Sequence, residues 1–426
     1  MRVAVAGAGA FGRNHLRVVR ELETAGEGVA LVAAVDPDAA RAEEAARQYG
    51  IPHFKSVDEL LKADLKLDAA IVAVPTVKHH EVAAALLEAG LDLLVEKPLA
   101  ANLSEADDLI QNQEKNGRIL QPGHLERFNP AVLAVEPTLK RPMFFEAHRL
   151  SVFTPRALDV DVVLDLMIHD LDIVLTFAKS AVREVRAVGL PILSPNVDIA
   201  NVRVEFESGC VANFTASRVS TERVRKLRFF EPRQYVSIDY ARRDVLVIRI
   251  DSEVDTPPKQ SLDPPQGRGP VPGDPGDGAP VASGELAAAA AEFLATGKLD
   301  SAVIQKLLAS GKIPMALAMK IAAAKNDPEK LKEIAKGLAR PQAIDDGPAP
   351  GPASGPAPGL TFVKPEVTQG EPLKLEVLSF LEAVRTRREP KVTARQGRAA
   401  LELALTTQST MAAHAERAGL GDFFKS

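Results

Sequence analysis

The chain has 426 residues, a formal charge of −5 and one cysteine, Cys210. That length allows two or three domains with an ample core. The mild acidity offers no basic field for nucleic acid or a membrane surface. A lone cysteine excludes an internal disulfide, and no apolar run reaches bilayer length. With an apolar strand starting at Val3 and no secretory leader before it, a cytoplasmic protein is expected.

The run Val3–Ala6 suits a buried parallel strand and breaks into Gly7, Gly9 and Gly12, spaced G-x-G-x-x-G. Gly7 permits a tight turn, Gly9 lets the backbone approach a pyrophosphate, and Gly12 lets the next helix pack on the strand. The helix predicted over 11–21 would aim its free N–H groups at the phosphates. A second strand, Ala30–Val35, ends in Asp36, whose carboxylate can accept both ribose hydroxyls and would repel a 2′-phosphate. NAD is therefore favoured over NADP.

Strands and helices then alternate to about residue 121, the pattern of a doubly wound parallel sheet. Helices are expected over 39–49, 57–63 (capped by Ser56), 80–89 and 104–116. Strands are expected at 53–54, 69–74, 93–95 and 119–121. Ligands of such sheets bind outside the carboxyl edge. On that edge fall Gly7–Gly12, Asp36, Pro75-Thr76 and Glu96-Lys97-Pro98. His79 and His80 either touch the cofactor or simply start a helix, and His15 is expected on the surface of the first helix. The loop Gly123-His124-Leu-Glu-Arg127-Phe-Asn129-Pro130 follows the last strand and can face the crevice.

Seven strand-like runs between 143 and 249, interrupted by one helix over 161–178, predict a second, α+β domain with a mostly antiparallel open sheet. From about 255 to 360 the composition changes, and 16 of the 31 prolines lie there. Pro-rich linkers are expected to flank a small helical module at about 284–340, either a spacer or a docking unit for a protein partner. The expected domains are thus 1–121, then 122–255 with 361–426, with 256–360 inserted. The sheet resumes near Thr361, and helices are expected over 373–387 and 394–418.

The helix over 161–178 is apolar almost all round, as a buried helix is. Yet Asp161, Asp165, His169 and Asp172 share one wedge of about 80° at 100° per residue. Polar groups on a buried helix are costly unless they meet partners or a cavity, so this stripe is expected to line the active-site cleft. His169 suits a general base, with Asp165 orienting its ring. Lys97 would set an ammonium against the developing alkoxide. Lysine, histidine and aspartate with NAD form an alcohol dehydrogenase set without metal, and the scattered histidines and single cysteine offer no zinc cluster.

These residues resemble the Gfo/Idh/MocA oxidoreductase family. The likeness rests on Ala6-Gly7-Ala8-Gly9-Ala10-Phe11-Gly12, Pro75-Thr76-x-x-His79, Glu96-Lys97-Pro98 and Asp165-x-x-x-His169-Asp170. It implies an N-terminal Rossmann domain and a C-terminal domain whose open sheet builds homodimers or homotetramers. It also implies a tightly held NAD(P), with Ala10, Phe11, Pro75, Thr76, His79 and Glu96 among its contacts and Lys97, Asp165 and His169 as the catalytic group. The 124–130 loop and Val163–Asp170 are similar to the UDP-N-acetylglucosamine 3-dehydrogenase group, whose 3-keto product feeds amino-sugar synthesis for lipid A-type glycolipids. That likeness places Arg127 and Asn129 near a nucleotide-sugar, with His124 and Asp170 counted among the substrate contacts. Two alternatives stay open: a dehydrogenase of a free sugar or inositol, and an NAD-binding scaffold without catalysis. The insertion at 256–360 departs from the family pattern.

Overall fold

The computed structural model describes residues 1–153, 161–250 and 360–420. All but the last residue of the expected insertion, with its linkers and helical module, lies outside the described residues. Six parallel strands form the first sheet: β1 (Arg2–Ala6), β2 (Ala30–Val35), β3 (His53–Phe54), β4 (Ala69–Val72), β5 (Asp92–Glu96) and β6 (Leu120–Gly123). Their order is β3-β2-β1-β4-β5-β6. Because both faces of β1 and β4 are covered, these strands read as unbroken apolar runs rather than alternating ones. The connecting helices are α1 (Ala10–Thr24), α2 (Ala39–Tyr49), α3 (Val57–Lys62), α4 (His79–Glu88) and α5 (Leu103–Asn116). Ser56 caps α3 as expected, accepting the Glu59 amide at 3.2 Å. The strand order reverses between β1 and β4, which places the ligand crevice over the ends of those two strands.

After a short helix, α6 (Pro130–Val135), the chain builds the second sheet. Its strands are β7 (Phe144–Leu150), β8 (Val182–Leu190), β9 (Ile199–Phe206), β10 (Val211–Ser217), β11 (Val224–Glu231), β12 (Gln234–Asp239), β13 (Asp244–Ile250) and β14 (Leu360–Val363). The order is β14-β13-β12-β11-β7-β10-β9-β8, antiparallel except for β7 beside β10. Burial alternates along β7 and β9, so one face is packed. The other leaves Phe230, Leu246, Ile250 and Phe362 exposed.

The apolar helix expected over 161–178 is not uniform. Val163–Met167 is a π-helical turn, and only α7 (Ile168–Ala178) is α-helical. The i→i+5 turn widens the spacing, so residues 165 and 169 no longer stack one turn apart as in a plain α-helix. Its polar residues scatter accordingly. Asp161 caps the helix, accepting the amides of Val163 (2.9 Å) and Leu164 (3.0 Å), and takes a bond from Gln408. Asp172 is buried on another side, 3.8 Å from Nδ1 of His124.

The C-terminal helices α8 (Pro372–Thr386) and α9 (Ala394–Arg417) lock the two layers together. Expected in the second domain, α8 instead packs Leu373, Val377 and Phe380 against Val3, Val5 and Leu16 of the first. The longer α9 sends Ala394 and Leu401 into the first core and Leu403, Ala404 and Met411 into the second. Thr393 and Gln396 form a reciprocal capping box at its start.

Between β7 and α7 lies a closed ionic knot. Arg149 donates to both oxygens of Asp170 (2.7 and 3.1 Å) and to Glu126 (3.1 Å), and its guanidinium stacks 5.1 Å from the Tyr240 ring. Removing one partner would strand the others in low dielectric. Arg149→Met is expected to cost ~3–5 kcal/mol in a denaturant titration, with partial recovery in R149M/D170L. Equal stability of wild type and R149M would show the knot to be solvated.

Candidate active site

Gly9 caps α1 without a side-chain bond, and the first turn carries no acidic residue, so the leading N–H groups stay available for an anion. Gly7 has φ +98°, and a Cβ on Gly12 would sit 1.7 Å from the Gly7 carbonyl oxygen. A Cβ on Gly9, by contrast, would meet nothing within 4 Å. Two glycines are thus required by the loop itself, and the third leaves an open face where phosphates must approach. A cavity of about 720 Å³ runs over these strand ends. Gly7, Gly9, Ala10 and Phe11 line it near the loop, Asp36 and Arg41 at one end, and Pro75, Thr76, Glu96 and Lys97 at the other.

Asp36 works before any ligand arrives. Its carboxylate accepts the amides of Ala8 (2.8 Å) and Asp38 (2.9 Å), pinning the glycine loop to the end of β2. Arg41 stands 3.2 Å away. A carboxylate offers about four acceptor positions, so some remain for ribose hydroxyls. His79, counted as a cofactor contact, lines the cavity but spends its ring on structure. Its Nδ1 lies 2.8 Å from the Pro98 carbonyl and its Nε2 3.0 Å from that of Val74, tying the β4 loop to the Lys97-Pro98 turn, a cis peptide. Burial holds its pKa below the ordinary value despite those carbonyls.

His15 is not on the surface. It is fully buried, its Nε2 2.7 Å from Oε1 of Glu96, because α1 turns that side onto the end of β5 rather than to solvent. Burial alone would push the Glu96 carboxyl up; the His15 bond and charge and the neighbouring Lys97 bring it below its usual range.

Lys97 emerges from β5 and its Nζ donates to the backbone carbonyls of Asp165 (2.8 Å) and Leu164 (3.4 Å), both in the π turn. Burial lowers its pKa, and the charges of Asp165 and Glu96 oppose that shift. Asp165 therefore bears on the lysine, not on His169 as expected. The His169 Nδ1 has no hydrogen-bond partner among the described residues. Burial, then the positive charges of Lys97, Arg149, His124 and Arg225, hold His169 well below its ordinary value. The ring is neutral at pH 7 and resists taking a proton.

The expected substrate loop is mostly framework. Arg127 is 3% exposed; its Nη2 donates to the Lys391 carbonyl and to Gln396, both at 3.3 Å, at the start of α9, while its Nε and Nη1 are buried without a hydrogen-bond partner. Asn129 caps α6 through Ala131 (3.1 Å) and donates to Glu126 and to the Tyr240 carbonyl. Asp170 is the buried partner of Arg149 and cannot also face a ligand. Both ring nitrogens of His124 are buried without a partner, and burial lowers its pKa. Residues not singled out by sequence include Arg149 and Arg225, which set the field at His169. Each sits in an alternating strand, where an inward arginine looks like its outward neighbours. Among the described residues no group of histidine, cysteine and acidic side chains could hold a metal.

Residues 1–124 match the model of an oxidoreductase family with an NAD-binding Rossmann fold, and residues 132–232 match the GFO/IDH/MocA C-terminal domain. The chain belongs to the Gfo/Idh/MocA family. It is 36% identical over 241 residues to a UDP-N-acetylglucosamine 3-dehydrogenase of Acidithiobacillus ferrooxidans, covering 56% of this chain and 74% of that one. A scyllo-inositol 2-dehydrogenase (NAD(+)) of Bacillus subtilis is 29% identical, covering 52% and 68%. The solved structure of the Acidithiobacillus enzyme superposes with a TM-score of 0.68 at 26% identity, over 97% and 98% of the two chains. Members of the family are oxidoreductases whose Rossmann domain binds NAD, and the glycine loop, open α1 terminus and Asp36 fit that cofactor here. Asp36→Ala is expected to weaken NAD+ binding by ~10-fold or more, as the loss of charge-assisted bonds implies. Calorimetric titration checks it, and unchanged affinity would remove Asp36 from the site. No described helix is long and apolar enough to cross a membrane.

Proposed function

We propose that the protein oxidises the 3-hydroxyl of a UDP-N-acetylhexosamine, UDP-N-acetylglucosamine above all, to a 3-keto sugar. The observation that carries this reading is Lys97 Nζ, held by two carbonyls at the end of the dinucleotide cavity. The 36% identity with the Acidithiobacillus enzyme supports the choice of sugar nucleotide.

A neutral lysine amine has two N–H groups and one lone pair. With both N–H groups given to Leu164 and Asp165, the lone pair is left for a substrate hydroxyl. Its depressed pKa brings it nearer to working pH, where a base is most effective. His169 is poorly placed for the same task because burial and the guanidinium charges of Arg149 and Arg225 oppose its protonation. We therefore assign the base to Lys97 and give neutral His169 a hydrogen bond to the reacting oxygen, an exchange of the roles the sequence suggested. As the O–H proton passes to Nζ, the carbinol carbon releases its hydrogen with the electron pair and the C–O bond becomes a carbonyl. The bound nicotinamide supplies the hydride acceptor. The ammonium formed lies against the negative charges of Asp165 and Glu96, which offset its burial.

The exposed apolar face of the second sheet supports association of copies through that sheet, as the resemblance implies.

Adding UDP-N-acetylglucosamine to the NAD-loaded protein should raise the absorbance of reduced nicotinamide, whereas glucose and inositol should not. A response to inositol alone would favour the inositol dehydrogenase reading, to which the Bacillus relative lends support. Lys97→Ala and His169→Ala should each slow turnover by ~10²-fold or more; wild-type rates in both would remove these residues from the chemistry, and no turnover of any sugar by the wild type would leave a scaffold. A base must be deprotonated, so kcat/KM should fall as pH drops through a pKa below the ordinary lysine value of about 10.4. That limb should vanish in Lys97→Ala and persist in His169→Gln. The opposite pattern would return the base to His169.

A further inference from the structure

Behind Glu96 lies a closed polar cell that the chemistry above does not use. Leu94 pairs with Gln121 and Glu96 with Gly123 across β5 and β6, so Glu96 and Gln121 share one face of the sheet. Over that face lie α1, which brings His15, and α8, which brings Glu376. Gly123 makes room: a Cβ there would stand 3.3 Å from Oε2 of Glu96. Glu376 has 0% exposure, and neither carboxyl oxygen has a hydrogen-bond partner. The amide of Gln121 donates to the Glu376 backbone carbonyl at 3.4 Å, and its own Oε1 is also unpartnered.

A carboxylate can only accept hydrogen bonds, and both side-chain oxygens of Glu376 and Oε1 of Gln121 would be acceptors left wanting a donor. An ionised, unpaired carboxylate in such a place is costly, whereas a protonated one supplies the missing donor. We propose that Glu376 is a carboxylic acid in the native protein, a positioning residue that adds no second anion beside Glu96. Burial and the charge of Glu96 both push the Glu376 carboxyl well above its ordinary range. Of the other ionisable groups on the packed elements, His124 and the Nε and Nη1 of Arg127 lack hydrogen-bond partners, but Glu96 is the charge that bears on Glu376. His15 binds Glu96, Arg17 pairs with Glu371 and Glu21, Glu126 binds Arg149, Arg127 donates to the Lys391 carbonyl, and Asp92 at the far end of β5 takes Arg387. An ionised Glu376 would repel the charge of Glu96, the anion that attends Lys97. The consequence for catalysis rests on the reading of Lys97 as base, but the protonation of Glu376 does not.

The test uses the full chain and needs no substrate. Infrared spectra at neutral pH should show a protonated-carboxyl C=O band in wild type that Glu376→Gln lacks. Thermal unfolding supplies the second readout. A group whose folded pKa is raised contributes stability that is complete below its unfolded pKa and is lost as pH rises toward the folded value. The melting temperature of wild type should therefore fall relative to E376Q, by a growing margin of several degrees, between about pH 5 and pH 8. In an E96Q background that divergence should shrink, since the charge opposing ionisation is gone. Parallel melting curves, or a band unchanged in E376Q, would overturn the proposal. Failure of sugar turnover with these signatures intact would overturn only the substrate reading.

Discussion

Lys97 Nζ reaches 2.8 Å to the carbonyl of Asp165 and 3.4 Å to that of Leu164, and in doing so joins the end of the fifth parallel strand to a helix 67 residues further along. The Lys97 end of the dinucleotide cavity depends on this contact. A buried amine must give its hydrogens to something, and backbone carbonyls take them without adding a full negative charge at the point of contact. The π turn at Val163–Met167 is where those carbonyls are presented. Such turns are rare and concentrate at functional sites.

The same contact sorts the charges around it. Glu96 is kept anionic by His15 and Lys97, Asp170 is consumed by Arg149, and Glu376 has no partner that would let it ionise. The guanidiniums of Arg149 and Arg225 bear on His169, while Asp165 and Glu96 attend Lys97. Two groups that both look like bases in sequence are thus separated by environment, which is why the proposed function gives the proton to the amine. Behind them α8 and α9 hold the layers at fixed separation, so that β5 and the π turn stay within one hydrogen bond of each other.

Much of this is legible in the amino-acid sequence. The glycine spacing, Asp36 and strands such as Ala30–Val35 follow from local rules: apolar runs bounded by turns, and an acid at a strand end. Lys97 and the Asp165–His169 segment were legible as a pair because polar residues on a greasy helix demand a cavity. What could not be read were contacts made by the backbone and by distant elements. The π turn has no simple sequence signature, so Asp165 was expected to face His169. His15 read as a surface residue, because nothing local shows that α1 buries it against Glu96. The bonds of Arg127 to Lys391 and of Asn129 to Tyr240 could not be read either, since they span 264 and 111 residues. Glu376 was hidden for the same reason, one acid among many on an amphipathic helix.

The fate of the hydrogen on C3 decides between hydride transfer and its alternatives. UDP-N-acetylglucosamine carrying deuterium at C3, given to the NAD-loaded protein for a single turnover, should deliver that label to the nicotinamide ring, and a 3-keto sugar nucleotide should form in equal amount. A reduced nicotinamide free of deuterium, or a sugar still holding its label, would contradict hydride transfer from that carbon and with it the placement of Lys97 at the reacting hydroxyl.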